Sequence, residues 1–126
     1  MISIQALVKG EPDITPFTKL FDFSDNDEPI FLNVIEMVRD KLSRKLKLNV
    51  QEVLLVFCDY LVSEIRAKKS DSTIIENSSK ILTRDDVLIG VPETLRDITF
   101  NITIDNFPKR TIQFVKPIPV ADYTMV

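Results

Sequence analysis

The 126-residue sequence has no histidine, one cysteine and two glycines. The absence of histidine excludes zinc hydrolase sites, Ser-His-Asp triads and Cys-His nucleophile pairs, because each of these sites needs an imidazole. A single cysteine cannot form a disulfide within the chain or a thiolate metal site. Two glycines cannot supply a glycine-rich dinucleotide loop or a phosphate-binding loop. Most common catalytic arrangements are therefore excluded.

The charge is mildly acidic, with 16 Lys and Arg against 19 Asp and Glu. A net charge of −3 argues against a dedicated nucleic-acid-binding domain, which usually carries a clear basic excess. Residues 39–69 are locally basic, and we interpret them as a solvated helix face. The longest strongly apolar run, residues 53–58, is too short to span a bilayer, and no secretory leader is recognised. We expect a cytoplasmic protein with neither a nucleic acid nor a membrane as its partner.

The first residues alternate between apolar and other side chains, which predicts a short N-terminal strand over residues 1–8. Residues 9–28 combine Gly10, two prolines and several acids with an aromatic cluster. We predict a loop or arm that docks by its aromatic side chains. The expected domain organisation is an N-terminal strand and arm at 1–23, followed by one domain at 24–126.

Helix signals dominate the middle of the chain. Ser24 is placed to cap a helix that runs to about Leu46, and Asn49 with Glu52 predicts a capping box for a second helix to about Lys68. That second helix should be the most buried, with Cys58 as a small buried hydrophobe. A short helix follows Ser70–Ser72, and a Thr83–Asp86 capping box predicts a fourth that contains Val87 and Leu88 and ends at Gly90.

The hydrophobic period changes to two near the C-terminus. Ile98, Phe100, Ile102 and Ile104 alternate with polar residues, and Ile112 and Phe114 follow a turn at 105–108. This pattern predicts an antiparallel hairpin, which needs the helices or a partner protein to cover its apolar face. The predicted fold class is α+β, with about four helices packed on a small C-terminal β-hairpin that the N-terminal strand can extend.

The order of several short segments resembles the urease gamma subunit family over about residues 30–118. The segments are Leu46-Lys47-Leu48-Asn49, Glu52, residues 81–87 (ILTRDDV), Gly90-Val91-Pro92-Glu93 and Pro117-Ile118. The family usually has glycine at Lys45 and near Lys68, where this chain has lysine. From the matching segments and the predicted hairpin, we take eight interface candidates: Leu46, Asn49, Glu52, Gly90, Val91, Pro92, Ile102 and Phe114.

The resemblance implies a non-catalytic, gamma-like subunit that supports urea hydrolysis by a separate large subunit. Its implied partners are a larger catalytic alpha subunit and a beta subunit, in a trimer of heterotrimers. Nickel would lie in the alpha subunit, so no cofactor is expected in this chain. A chain without histidine also offers no imidazole for nickel. The chain itself is thus expected to have no active site while being part of a urea amidohydrolase.

Three alternatives stay open at this point. The chain could be a diverged stand-alone interaction module, since the glycine and histidine positions of the family are replaced. It could bind nucleic acid through Lys41, Arg44, Lys45 and Lys47, or be a small carboxylate enzyme that uses Asp85-Asp86 or Asp25-Asp27. The overall acidity argues against nucleic-acid binding. Helix capping accounts for the acids that a carboxylate enzyme would use.

Overall fold

A computed structural model describes residues 1–119. The end of the predicted 24–126 domain, residues 120–126, lies outside the described residues. The described part is an α+β fold, as predicted, with two additional 3-10 turns at 78–80 and 84–86. In chain order its elements are β1 (Ile2–Lys9), β2 (Phe17–Phe23), α1 (Glu28–Ser43), α2 (Val50–Arg66), α3 (Asp71–Asn77), α4 (Val91–Thr94), β3 (Asp97–Ile104) and β4 (Arg110–Val115).

The four strands form one antiparallel sheet in the order β2-β1-β3-β4. The N-terminal strand is confirmed and lies at the centre, where Ile4 stands opposite Phe21 on one side and Ile102 on the other. The predicted loop or arm at 9–28 is wrong for its middle part, because all three of its aromatics belong to β2. The division at residue 23 stays a prediction, although residues on both sides of it contribute strands to the same sheet.

Helices α1 and α2 pack together, and α2 also contacts β1, so the core lies on one face of the sheet. Phe114 of β4 is fully buried, with its ring centroid 5.5 Å from that of Phe57 in α2 and 5.1 Å from that of Phe100 in β3. The predicted need for cover on the hairpin is therefore met within the chain. Cys58 is also fully buried, as predicted, and burial raises the pKa of its thiol.

The predicted capping box of α2 is confirmed. The Glu52 amide donates to the Asn49 side-chain oxygen at 2.9 Å, and the Asn49 amide donates to the Glu52 carboxylate at 3.0 Å. The predicted start of α1 at Ser24 is too early, because residues 24–27 form a turn in which the Asp27 amide bonds to the Ser24 carbonyl at 2.9 Å. Asp27 is the residue that precedes the first helical turn.

The prediction of a capped helix is only partly right in residues 83–94. The Thr83 amide donates to the Asp86 carboxylate at 2.8 Å, as a capping box requires. That contact supports only a single 3-10 turn, after which Val87 is extended. The expected helix through Val87 and Leu88 is wrong; Gly90 instead precedes the short helix α4.

Three lysines have positive φ angles, which L-residues adopt at a cost, and two of them follow helices. Lys45, with φ 58°, follows the end of α1, and Lys68, with φ 60°, follows the end of α2. A left-handed residue after a helix is usually glycine. Here lysine takes the conformation that glycine usually supplies at a helix end.

Replacing either left-handed lysine by glycine should stabilise the chain. We expect Lys45→Gly and Lys68→Gly each to raise the free energy of unfolding by about 1 kcal/mol, because glycine removes the steric cost of positive φ. Urea unfolding followed by circular dichroism measures the change. The control Lys69→Gly, at a neighbouring position without positive φ, should lower stability. Equal effects at positions 68 and 69 would contradict this account.

An ion-pair network joins the end of α2 to two other elements. The Arg66 guanidinium bonds to Glu28 at the start of α1 at 2.6 Å and to Asp105 in the β3–β4 turn at 2.9 Å. The Met1 ammonium lies 3.2 Å from the same Asp105 carboxylate. The side-chain hydrogen bond from Arg66 is the largest cause that lowers the pKa of Asp105.

This network predicts acid sensitivity. Because the folded pKa of Asp105 lies below its ordinary value of 3.8, its contribution to stability is present above that value and is lost as pH falls through the folded pKa. We expect Asp105→Asn to lower stability near neutral pH and to make the stability of the chain fall less steeply below about pH 4. Thermal unfolding between pH 7 and 3 measures this. Asp22→Asn, at an exposed position on β2, should keep the wild-type slope.

Candidate subunit interface

The structure brings together two segments that are far apart in the sequence. Leu48 and Val87 form an isolated parallel bridge, in which the Leu48 amide donates to the Asp86 carbonyl and the Leu88 amide to the Leu48 carbonyl, both at 2.9 Å. Lys47 Nζ also donates to the Asp85 carbonyl at 2.8 Å. Both bridging side chains are buried. We call residues 46–49 together with 83–92 the junction.

The junction carries apolar side chains on the surface. Ile89 is 100% exposed, while Leu88 is 46% and Leu46 is 44% exposed. Isolated exposed apolar residues are common, but a fully exposed isoleucine directly after a half-exposed leucine is a local feature typical of a contact surface. This feature makes the junction the strongest candidate for an interface with another protein.

Gly90 sets the path of the chain at the junction. Its φ of 91° lies in the left-handed region, and no atom lies within 4 Å of where a Cβ would be placed. Glycine is thus needed for the backbone conformation and not for space. The next two residues, Val91 and Pro92, turn inward and are buried, whereas Ile89 points to solvent.

A second surface feature is the groove between α1 and the start of α2. It has a volume of about 1010 Å³, and Val38 and Leu55 are buried residues that line it. Met37, which is 69% exposed, also lines it. Asn49 and Glu52 lie at one side, so two of the predicted interface residues share this groove.

An ion pair lies within the groove. Lys41 Nζ contacts the two carboxylate oxygens of Glu52 at 2.8 and 2.7 Å. Burial by itself would raise the pKa of Glu52, but the Asn49 amide and then the Lys41 ammonium outweigh it and lower the pKa below its ordinary value. Glu52 therefore stays ionised and holds α1 against the first turn of α2; it is not arranged as a proton donor.

The eight predicted interface residues occupy different environments. Leu46, Asn49, Glu52 and Gly90 are at or near the surface, Val91 and Pro92 are buried at the base of the junction, and Ile102 and Phe114 lie in the core. Buried side chains can support an interface only indirectly. Sequence reasoning missed Leu88 and Ile89, because it placed Leu88 in a helix; the two apolar residues directly before a glycine were the available signal.

Within residues 1–119 there is no group of three or more His, Cys, Asp or Glu side chains that could hold a metal ion. Every buried side-chain nitrogen or oxygen in that range has a hydrogen-bond partner. No helix among these residues is long and apolar enough to cross a membrane.

Comparison with known proteins agrees with the sequence resemblance. The family model described as "Urease, gamma subunit" matches residues 22–118, a range that includes the junction, all four helices, β3 and β4. The urease subunit gamma of Halalkalibacterium halodurans is 32% identical over 77 residues, which make up 60% of this chain and 77% of that protein. These matches confirm the resemblance: the chain belongs to the urease gamma subunit family.

Proposed function

We propose that this chain is a non-catalytic structural subunit of a urease-type nickel hydrolase, which supports urea hydrolysis by a separate large subunit in the cytoplasm. The observation that carries the proposal is the family match over residues 22–118. The proposed partners are a larger catalytic alpha subunit and a beta subunit, in a trimer of heterotrimers. The junction, with Ile89 at its surface, is the proposed contact with them.

The residues of this chain do not fit a nickel site. Nickel is held in proteins mainly by imidazole and thiolate ligands, whereas this sequence has no histidine and its one cysteine is buried. Two of the acids at or beside the junction already have partners, since Asp86 accepts a hydrogen bond from Thr83 and Glu93 lies 3.9 Å from Arg84. We therefore propose that the metal of the assembly lies in the partner subunit.

A second candidate function is a stand-alone interaction module with the same fold. The observation that favours it is the cover on the C-terminal hairpin, whose apolar face packs against helices of its own chain. Such a chain does not need a partner to bury that face. The two candidates differ in whether a nickel-containing subunit accompanies the chain.

Gentle purification of the tagged chain from its native cell distinguishes them. The structural-subunit function predicts a large complex with a nickel-containing subunit and urea hydrolysis in the eluate. Mass photometry, metal analysis and ammonia release provide the three measurements. A chain that elutes alone, with neither nickel nor ammonia release, would favour the stand-alone module.

A surface substitution tests the junction. We expect Ile89→Asp to reduce recovery of the partner at least about tenfold, because a charge placed in an apolar contact must be desolvated without a counter-ion. Its thermal unfolding should match the wild type, since the side chain is fully exposed. Recovery of the partner and circular dichroism are measured together.

Val115→Asp is the matched control, because Val115 is also an exposed apolar residue, 62% exposed at the end of β4. It should recover the partner as the wild type does. If both variants keep the partner, the junction is not the interface, although the family role would stand. If both lose it, the contact extends over the outer face of the sheet.

A further inference from the structure

The family match begins at residue 22, so it leaves out β1 and most of β2. Within the matched range the sheet consists of little more than the β3–β4 hairpin. One edge of that hairpin, along β3, would then have a row of unpaired backbone groups, which commonly accept another strand. In this chain β1 occupies that edge.

The fit between β1 and β3 is complete along the strand. All eight residues of β1 have partners in β3, from Ile2 opposite Ile104 to Lys9 opposite Asp97. The inward side chains of β1 fill the core, and Ile4 and Ala6 are fully buried. On the outer face, the Asn101 amide donates to the Gln5 side-chain oxygen at 3.1 Å. Strand β1 therefore fits the β3 edge both through its backbone pairing and through the packing of its side chains.

The two remaining edges of the sheet are poorly suited to another strand. Along β2, the half-buried Lys19 lies in register with Ala6 and so points toward the core side. An inward-pointing charge on an edge strand disfavours further pairing. Strand β4 lies between Pro108 and Pro117, and Lys116 directly after it has φ 49°. The β3 edge is thus the best strand-binding site of the fold.

The hairpin β1–β2 is joined to the rest of the chain through residues 24–27, which are all exposed. The turn they form is held by local contacts, including a 3.0 Å bond from the Ser24 hydroxyl to Asp27, and by one contact from the Met1 ammonium to Asp25. Opening such a turn exposes no core residue of its own. When extended, four residues span about 14 Å, enough to carry the hairpin away from its own β3.

We propose that the β3 edge is a strand-acceptor site and that a second copy of this chain can fill it with residues 1–23, which gives a domain-swapped dimer. The contacts across the β1–β3 seam are the same whether the hairpin comes from the same chain or from another copy. Only the conformation of residues 24–27 and the protein concentration then separate monomer from dimer. This proposal does not depend on the urease role.

Disulfide trapping tests the exchange in the full-length chain. One chain carries Gln5→Cys and the other Asn101→Cys, positions that face each other on the outer side of the seam. The two are mixed, unfolded in urea, refolded at high concentration and oxidised. We expect a disulfide-linked dimer at least about tenfold above background, because only an exchanged hairpin brings the two cysteines together. The chains are kept reduced until refolding is complete, when the native Cys58 is again buried and does not interfere.

Two controls make either outcome decisive. The mixture of Gln5→Cys with Gln113→Cys measures background, since Gln113 lies two strands away from β1 on the same face. A single chain with Gln5→Cys and Asn101→Cys should form an internal disulfide and so show that the geometry permits the bond; Ser3→Cys with Thr103→Cys provides a second facing pair. If the internal disulfide forms while the mixed chains stay at background, the hairpin does not exchange and the proposal fails.

Discussion

The pairing of β1 with β3 is the contact on which the rest of the sheet depends. Strand β1 lies between β2 and β3, so without it β2 would have no neighbour and β3 would have an open edge. Its inward side chains also form part of the core beside α2. Ile2, Ile4 and Ala6 are fully buried, and α2 contacts β1. A two-stranded hairpin alone is marginal in water, whereas four strands with a helical layer can bury a continuous core.

Local signals in the sequence were sufficient for most helices and for three strands. The Asn49–Glu52 capping box and the strict alternation from Ile98 to Ile104 depend on residues close in sequence, and both appear in the structure as predicted. Strand β2 was missed because Leu20 on its outer face interrupts the alternation of Phe17, Phe21 and Phe23, and Lys19 occupies an inward position. Its place as a strand is determined by β1, a partner that local periodicity does not reveal.

The candidate interface was less predictable, for a related reason. The two segments of the junction were both singled out by their resemblance to the family, but nothing in either segment shows that Leu48 pairs with Val87. That bridge forms between residues 39 positions apart, and Val87 is extended directly after the 3-10 turn, where a helix was predicted. The exposure of Ile89 follows from that path and from the left-handed Gly90, so the two apolar residues before the glycine were visible in the sequence but their exposure was not.

The lysines at the helix ends show how a left-handed helix end can form without glycine. Lys45 and Lys68 keep the left-handed conformation that ends α1 and α2, although a lysine there costs more than a glycine. A chain tolerates such strain only when contacts elsewhere over-determine the same geometry. Here the Lys41–Glu52 pair holds α1 to α2, and Arg66 joins the far end of α2 to Glu28 and Asp105. These ion pairs between elements thus help to hold both helix ends in the left-handed conformation, which glycine would adopt at a lower cost.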